Sequence, residues 1–291
     1  MKTRAISQSM MEALLSGELQ PLLKIVQLDD TLCMELRGDS VSIYYRGGEI
    51  LQVTERLEGY EILHSRDFYL DEEKSPPERL DVETVLRLLP QYKHTVDLFR
   101  RQNRGYTHEL QQMIQRENNT RMAPGRTTDY FFLDSDCLDS STKFDMVAIK
   151  WPEKSIPRRK NAPPTLAIIE IIYDNALLHT KKMRKYLSDL NPLLSDTEWV
   201  RTFAKDMSAV FSQKCKLGLI HGVQEPLFDT QIVPDTPEVI LVFVHQEASS
   251  RGVDVLLHQL DTGEYGFPVL VASSSLMGYG MFVERMQPLV T

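Results

Sequence analysis

The sequence predicts a mixed α/β protein, with a central sheet flanked by helices and an N-terminal β-meander and helical extension. Three observations carry that prediction. Three runs rich in β-branched and aromatic residues, 128–136, 143–151 and 165–173, follow one another with turn-rich sequence between them. Segments with helical spacing lie on either side of them. Late in the chain, 239–244 is apolar without a break, the pattern of a central strand covered on both faces.

Taken in order, 9–15 predicts a short helix and 22–26 a second apolar run. The stretch 33–53 alternates in character, and Gly38-Asp39 and Gly47-Gly48 mark its turns, so a β-meander is expected. No helix start follows Gly47-Gly48, which reads as a hairpin turn and not as a phosphate loop. Arg46, beside Tyr44 and Tyr45, is the residue of that turn suited to touch a phosphate or a partner. Charged residues and Pro76-Pro77 predict a surface connection over 67–79. The spacing of 80–101 is helical, with Pro90 expected to break it in two. A further helix, 106–117, turns Leu110, Met113 and Ile114 to one buried face and ends at Asn118-Asn119 and Pro124-Gly125. After the three strands come helices over 175–190 and 196–216, the second with Trp199, Val200, Phe203, Val210 and Phe211 as its core stripe. A last strand is expected at 267–272 and a packed turn at 278–280. The expected division is 1–102 for the meander and helices packed on the core, and 103–291 for the core itself.

Composition narrows the function. The chain has 291 residues, 42% hydrophobic and 25% charged, ordinary for a soluble globular protein of one large or two modest domains. No stretch approaches a membrane span, and no apolar core of signal-peptide type follows Met1-Lys2-Thr3-Arg4. Cys33, Cys137 and Cys215 are odd in number and widely spaced, so neither a zinc cluster nor a disulfide framework is expected, and a cytoplasmic setting fits. The net charge of −8 argues against a protein that coats nucleic acid with its whole surface, while leaving room for a local basic groove. The histidines form no HxH or HExxH spacing, and neither a nucleophile elbow nor a Walker loop occurs.

The acids on the three central strands stand out. Side chains alternate faces along a strand, so Asp134 and Asp136 are expected to share a face, Asp145 to align with Val147 and Ile149, and Glu170 with Ile168 and Ile172. A carboxylate inside an apolar strand is costly unless it is paired or metal-bound. Acids on three successive strands can converge on one cation.

Helix, three strands, helix and buried strand, with Asp145 and Glu170 on the second and third strands, resembles the core of the PD-(D/E)XK nuclease superfamily, the restriction-endonuclease-like fold. Phe144-Asp145-Met146-Val147-Ala148 is similar to its Asp element, and Ile169-Glu170-Ile171-Ile172 to its second acid. Tyr44-Tyr45-Arg46-Gly47-Gly48, Gln111-Gln112, Arg116-Glu117-Asn118-Asn119, Thr128-Asp129-Tyr130 and Met277-Gly278-Tyr279-Gly280 resemble segments of uncharacterised bacterial members, so the likeness spans most of the chain. The resemblance implies that Asp145 and Glu170 hold Mg²⁺ or Mn²⁺, with Asp136 or Asp134 completing an oxygen shell. It also implies a lysine that positions or activates the attacking water. Here the sequence departs from the pattern, because Ile172 occupies the lysine position and can neither donate a hydrogen bond nor carry charge. Lys181 and Lys182 in the next helix are the expected replacements, with Lys143 as the strand-borne rival. Lys154, Arg158, Arg159 and Lys160 form the densest basic run, read either as a phosphate-contacting flap or as a solvated loop balancing an acidic protein.

Three functions follow as expectations. The first is a metal-dependent nuclease acting on DNA or RNA, or a recent descendant of one. The second is a catalytically inactive protein of the same fold that binds nucleic acid or another protein. The third is a structural, dimer-forming protein whose acids pair with its own lysines.

Overall fold

A computed structural model of the chain describes residues 3–68, 79–103, 107–120, 128–139, 142–152, 163–173, 180–244, 257, 258, 260 and 265–289. The architecture is mixed α/β and contains two sheets. The first is an antiparallel meander of β1 (Leu32–Leu36), β2 (Ser40–Tyr45), β3 (Gly48–Arg56), β4 (Gly59–His64) and β5 (Arg79–Leu80). It therefore continues past the expected 33–53. Helices α1 (Gln8–Leu15) and α2 (Gln20–Leu28) precede it, and their buried Met10, Leu14, Leu22 and Leu23 join the same core as its strands. Ser7 caps α1 by accepting the amide of Met10 at 3.0 Å.

The β2–β3 turn is pressed against a later helix, α4 (Thr107–Asn119). Gly47 has φ of +71°, and a Cβ there would stand 2.2 Å from the backbone of His108, so only glycine fits. Arg46 beside it reaches Asp97 at 2.7 Å and Glu109 at 2.8 Å. The guanidinium thus ties the turn to two helices.

Helix α3 (Val82–Gln102) runs unbroken through Pro90. An interior proline costs roughly 3 kcal/mol. Val85, Leu89 and Val96 lie on both sides of it and are all buried, at roughly 1.5–3 kcal/mol each. Packing outweighs the lost hydrogen bond, which is why the expected break does not occur.

The second sheet has the order β11-β10-β9-β8-β7-β6. Strands β6 (Tyr130–Asp139), β7 (Thr142–Lys150) and β8 (Thr165–Ile172) form an antiparallel meander. Helices α5 (Thr180–Leu194) and α6 (Thr197–Lys216) then lead to β9 (Val233–Phe243), which returns parallel to β8. A crossover of this kind is what a parallel neighbour requires. Strand β10 (Val269–Ser273) lies parallel on the far side of β9, and β11 (Gln287–Pro288) closes that edge after the short helix α7 (Ser274–Met277). Residues Val239 and Phe243 of β9 are wholly buried between two strands, as the continuous apolar run requires.

The sheet separates two helix layers. Leu110 and Ile114 of α4 pack on the face formed by Phe132, Met146 and Ile169. Leu187 of α5, with Phe203 and Phe211 of α6, packs on the opposite face beside Phe144, Val147 and Ile168. That second core is continuous with Leu36, Val41 and Ile43 of the meander, so both sheets share it. Among the described residues no helix is long and apolar enough to cross a membrane.

Candidate active site

The register of the central strands places three acids at one level. Asp136 lies across from Asp145, between the pairs Ser135–Met146 and Cys137–Phe144. Glu170 lies one step beyond the last β7–β8 pair, Met146–Ile169, and so opposite Asp145. The row therefore crosses β6, β7 and β8 where the β7–β8 ladder opens. Asp145 itself fills that opening: its Oδ2 accepts the amide of Ile171 at 2.9 Å, a bond that a strand carbonyl would otherwise make. Its Oδ1 accepts from the side chain of Gln111 at 3.3 Å.

The alternation expected along β6 fails. The β6–β7 register shifts between Phe132 and Asp134, and Asp136 has φ of +52°. A bulge re-aims the side chains that follow it. Asp134 and Asp136 consequently part company. Asp134 is 1% exposed and held by Arg37 and by Arg4, whose Nη1 lies 3.0 Å from Oδ2 without hydrogen-bond alignment. It ties β6 to the N-terminal unit, and its expected place in a metal shell is corrected on that ground.

Asp136 stays with the site but is already engaged. Lys143 Nζ lies 2.7 Å from Oδ1, and His108 Nε2 lies 3.2 Å from Oδ2. Burial opposes its charge, but the contacts with His108 and Lys143 outweigh burial and bring its pKa down to about 2. The ion pair with Asp136 in turn pushes Lys143 upward, so this lysine is a fixed cation.

Asp145 and Glu170 behave differently. Burial pushes Asp145 up, against the Ile171 amide and the Lys143 charge, which favour its ionised form. Burial and then the charge of Asp145 push Glu170 up to about 8. Tyr186 of α5 stands beside Glu170, near enough to favour the carboxylate though outside regular hydrogen-bond geometry. Two half-buried carboxyls thus stand side by side, and each is harder to ionise than a free acid.

The other predicted residues fall as follows. Ile172 is fully buried in the larger core. Lys181 and Lys182 are exposed on the first turn of α5, whereas Lys143 is the cation that acts on both Asp145 and Glu170. Lys154, Arg158, Arg159 and Lys160 lie outside the described residues. Sequence reasoning did not single out His108 or Tyr186. Gln111 fared little better, entering only through the resemblance. Each lies on a helix distant in sequence from the acids, and no local spacing announces it.

Two neighbouring asparagines fix α4 in place. Asn119 donates to the carbonyl of Phe132 and accepts its amide, both at 2.8 Å. Asn118 donates to the carbonyl of Tyr279 at 2.9 Å and accepts the amide of Met281 at 2.8 Å. These bonds hold the helix that carries His108 and Gln111 against β6 and the C-terminal segment. No protein-family model matches the chain, and neither a curated protein nor a solved structure matches it.

Proposed function

We propose that the chain is a metal-dependent nuclease of the PD-(D/E)XK kind that hydrolyses phosphodiester bonds of DNA or RNA. The observation that carries this reading is the row of Asp136, Asp145 and Glu170 across three neighbouring strands, with Asp145 and Glu170 half-buried and hard to ionise together. The element order supports it: α4, an antiparallel meander, two helices, then a strand parallel to the third.

Among the described residues no three His, Cys, Asp or Glu side chains form a ready-made metal cage. Two neighbouring carboxylates suit a hard cation that keeps several waters and takes substrate oxygens, as Mg²⁺ does and as Mn²⁺ can. Asp145 and Glu170 would hold it. Such an ion would supply charge against the scissile phosphate and lower the pKa of a nearby water. The chain's own residues do the rest. Gln111 and the Ile171 amide fix the Asp145 carboxylate, and Lys143 offers a permanent cation in place of the one that Ile172 lacks. Lys181 and Lys182, with Arg184 and Lys185 on the outer side of α5, suit contacts to the nucleic-acid backbone, which position without specifying sequence.

The test is cleavage of supercoiled plasmid and of RNA with Mg²⁺ or Mn²⁺. Asp145→Asn is expected to abolish it. Lys143→Met is expected to lower kcat by about 10²-fold with little change in Tm, because a half-exposed ion pair contributes only about 0–1 kcal/mol. Lys181→Met and Lys182→Met are expected to change KM and its salt dependence instead. No cleavage by the wild type with either metal would reject the reading. The burial of Ile172 favours one alternative, an inactive protein of the same fold that binds nucleic acid or a protein, and in that case Ile172→Lys gains no activity.

A further inference from the structure

We propose that His108, held by Asp136, is a further catalytic residue of this site and takes the proton of the attacking water. The inference rests on the nuclease reading above. His108 lies on the first turn of α4, and its Nε2 is 3.2 Å from Asp136 Oδ2. In the neutral ring, the nitrogen that faces a carboxylate carries the proton and the other keeps the lone pair. With Nε2 facing Asp136, that assigns the lone pair to Nδ1. An acid that fixes an imidazole in this way orients it as a base.

Two further observations point the same way. The lysine position of the motif is the buried Ile172, and Lys143 is held as a cation by Asp136, so neither side chain can accept a proton. His108 also contacts Asp136, the acid that the strand register sets across from Asp145, and its side chain is 45% exposed, open to a substrate. Among the described residues the charged groups around it are Asp136 on β6, Lys143 and Asp145 on β7, and Glu109 on its own helix, which Arg46 of the β2–β3 turn engages. Gly47 packs directly on the His108 backbone.

The step balances without an added reactant. The water oxygen bonds to phosphorus as the phosphorus–leaving-oxygen bond breaks. One water proton passes to Nδ1 of His108. The leaving oxygen departs with the bonding pair and takes a proton from solvent. Asp136 is a positioning residue, since it acts through the imidazole.

The experiment uses the full chain with Mn²⁺, supercoiled plasmid and single-stranded RNA. His108→Ala is expected to lower kcat by about 10²–10⁴-fold at nearly unchanged KM. Imidazole added at millimolar concentration should restore part of the loss by entering the exposed space. His108→Gln, which keeps a donor toward Asp136, should fold with wild-type Tm and be equally impaired. Wild-type activity in either variant, or a loss that imidazole leaves unchanged while the chain is folded, overturns the role of His108 and leaves the nuclease reading standing. A wild type that cleaves neither substrate overturns both.

Discussion

Burial beside Asp145 holds the carboxyl of Glu170 up to about 8, so near neutral pH the metal-free chain keeps a proton there. The unfolded chain loses the same proton near the ordinary glutamate value of 4.5. Between those values the folded state binds more protons than the unfolded state, and stability falls as pH rises through the window. Glu170→Gln fixes the neutral form. In metal-free buffer it should match the wild type near pH 4 and exceed it by about 2 °C or more in Tm near pH 9. Equal melting at both ends would mean that Glu170 is not strained by its neighbours. The same proton must leave when a cation arrives. Mg²⁺ affinity is therefore expected to rise with pH up to about 8, by about tenfold per unit where one proton is displaced. A flat dependence would separate Glu170 from the metal.

Among the elements, α3 offers a direct check on the weight of packing against local propensity. Pro90→Ala restores one helix hydrogen bond without removing a buried contact, and is expected to raise Tm by about 3 °C or more. A lower Tm would mean that the helix geometry depends on the proline. This helix also shows what the sequence could and could not convey. Its existence was legible from Val85, Leu89 and Val96, but its continuity was not, because the core that holds both halves comes from residues far away in the chain. The three central strands were legible for the opposite reason: their β-branched runs are long, and the alternatives were few. The strand bearing Asp145 and the strand bearing Glu170 follow directly from those runs. The bulge in β6 does not, and it lies just after Phe132, whose backbone groups both bond to Asn119 of the distant α4. For that reason Asp134 and Asp136 looked equivalent in the sequence and are not in the fold. Ile172, where the resemblance implies a lysine, was likewise visible in the sequence, while the pairing of Lys143 with Asp136 required the strand register.

Across the whole molecule, the first sheet is joined to helices α4 and α6 by charges that the sequence does not advertise. Glu35 of β1 pairs with Lys214 of α6 at 2.8 Å, both essentially without exposure, and Gln115 of α4 donates to the same carboxylate. Breaking a buried pair by removing one partner leaves the other charge uncompensated, at about 3–5 kcal/mol. Lys214→Met is expected to cost that much in chemical denaturation, and Glu35→Leu combined with Lys214→Met to recover most of it. A cost below about 1 kcal/mol for the single variant would show that the pair is not what ties β1 to α6. The junction bears on function because α4, which carries Gln111 and His108 to the acid row, is held between the β2–β3 turn, Glu35 and β6. The central claim is that this scaffold brings Asp145 and Glu170 together to hold a divalent cation. Titration calorimetry with Mn²⁺ tests it most directly, since no substrate need be known: the wild type should bind, and Asp145→Ala and Glu170→Ala should each abolish binding while remaining folded. Equal binding by the wild type and both variants, or no binding by the wild type, would contradict it.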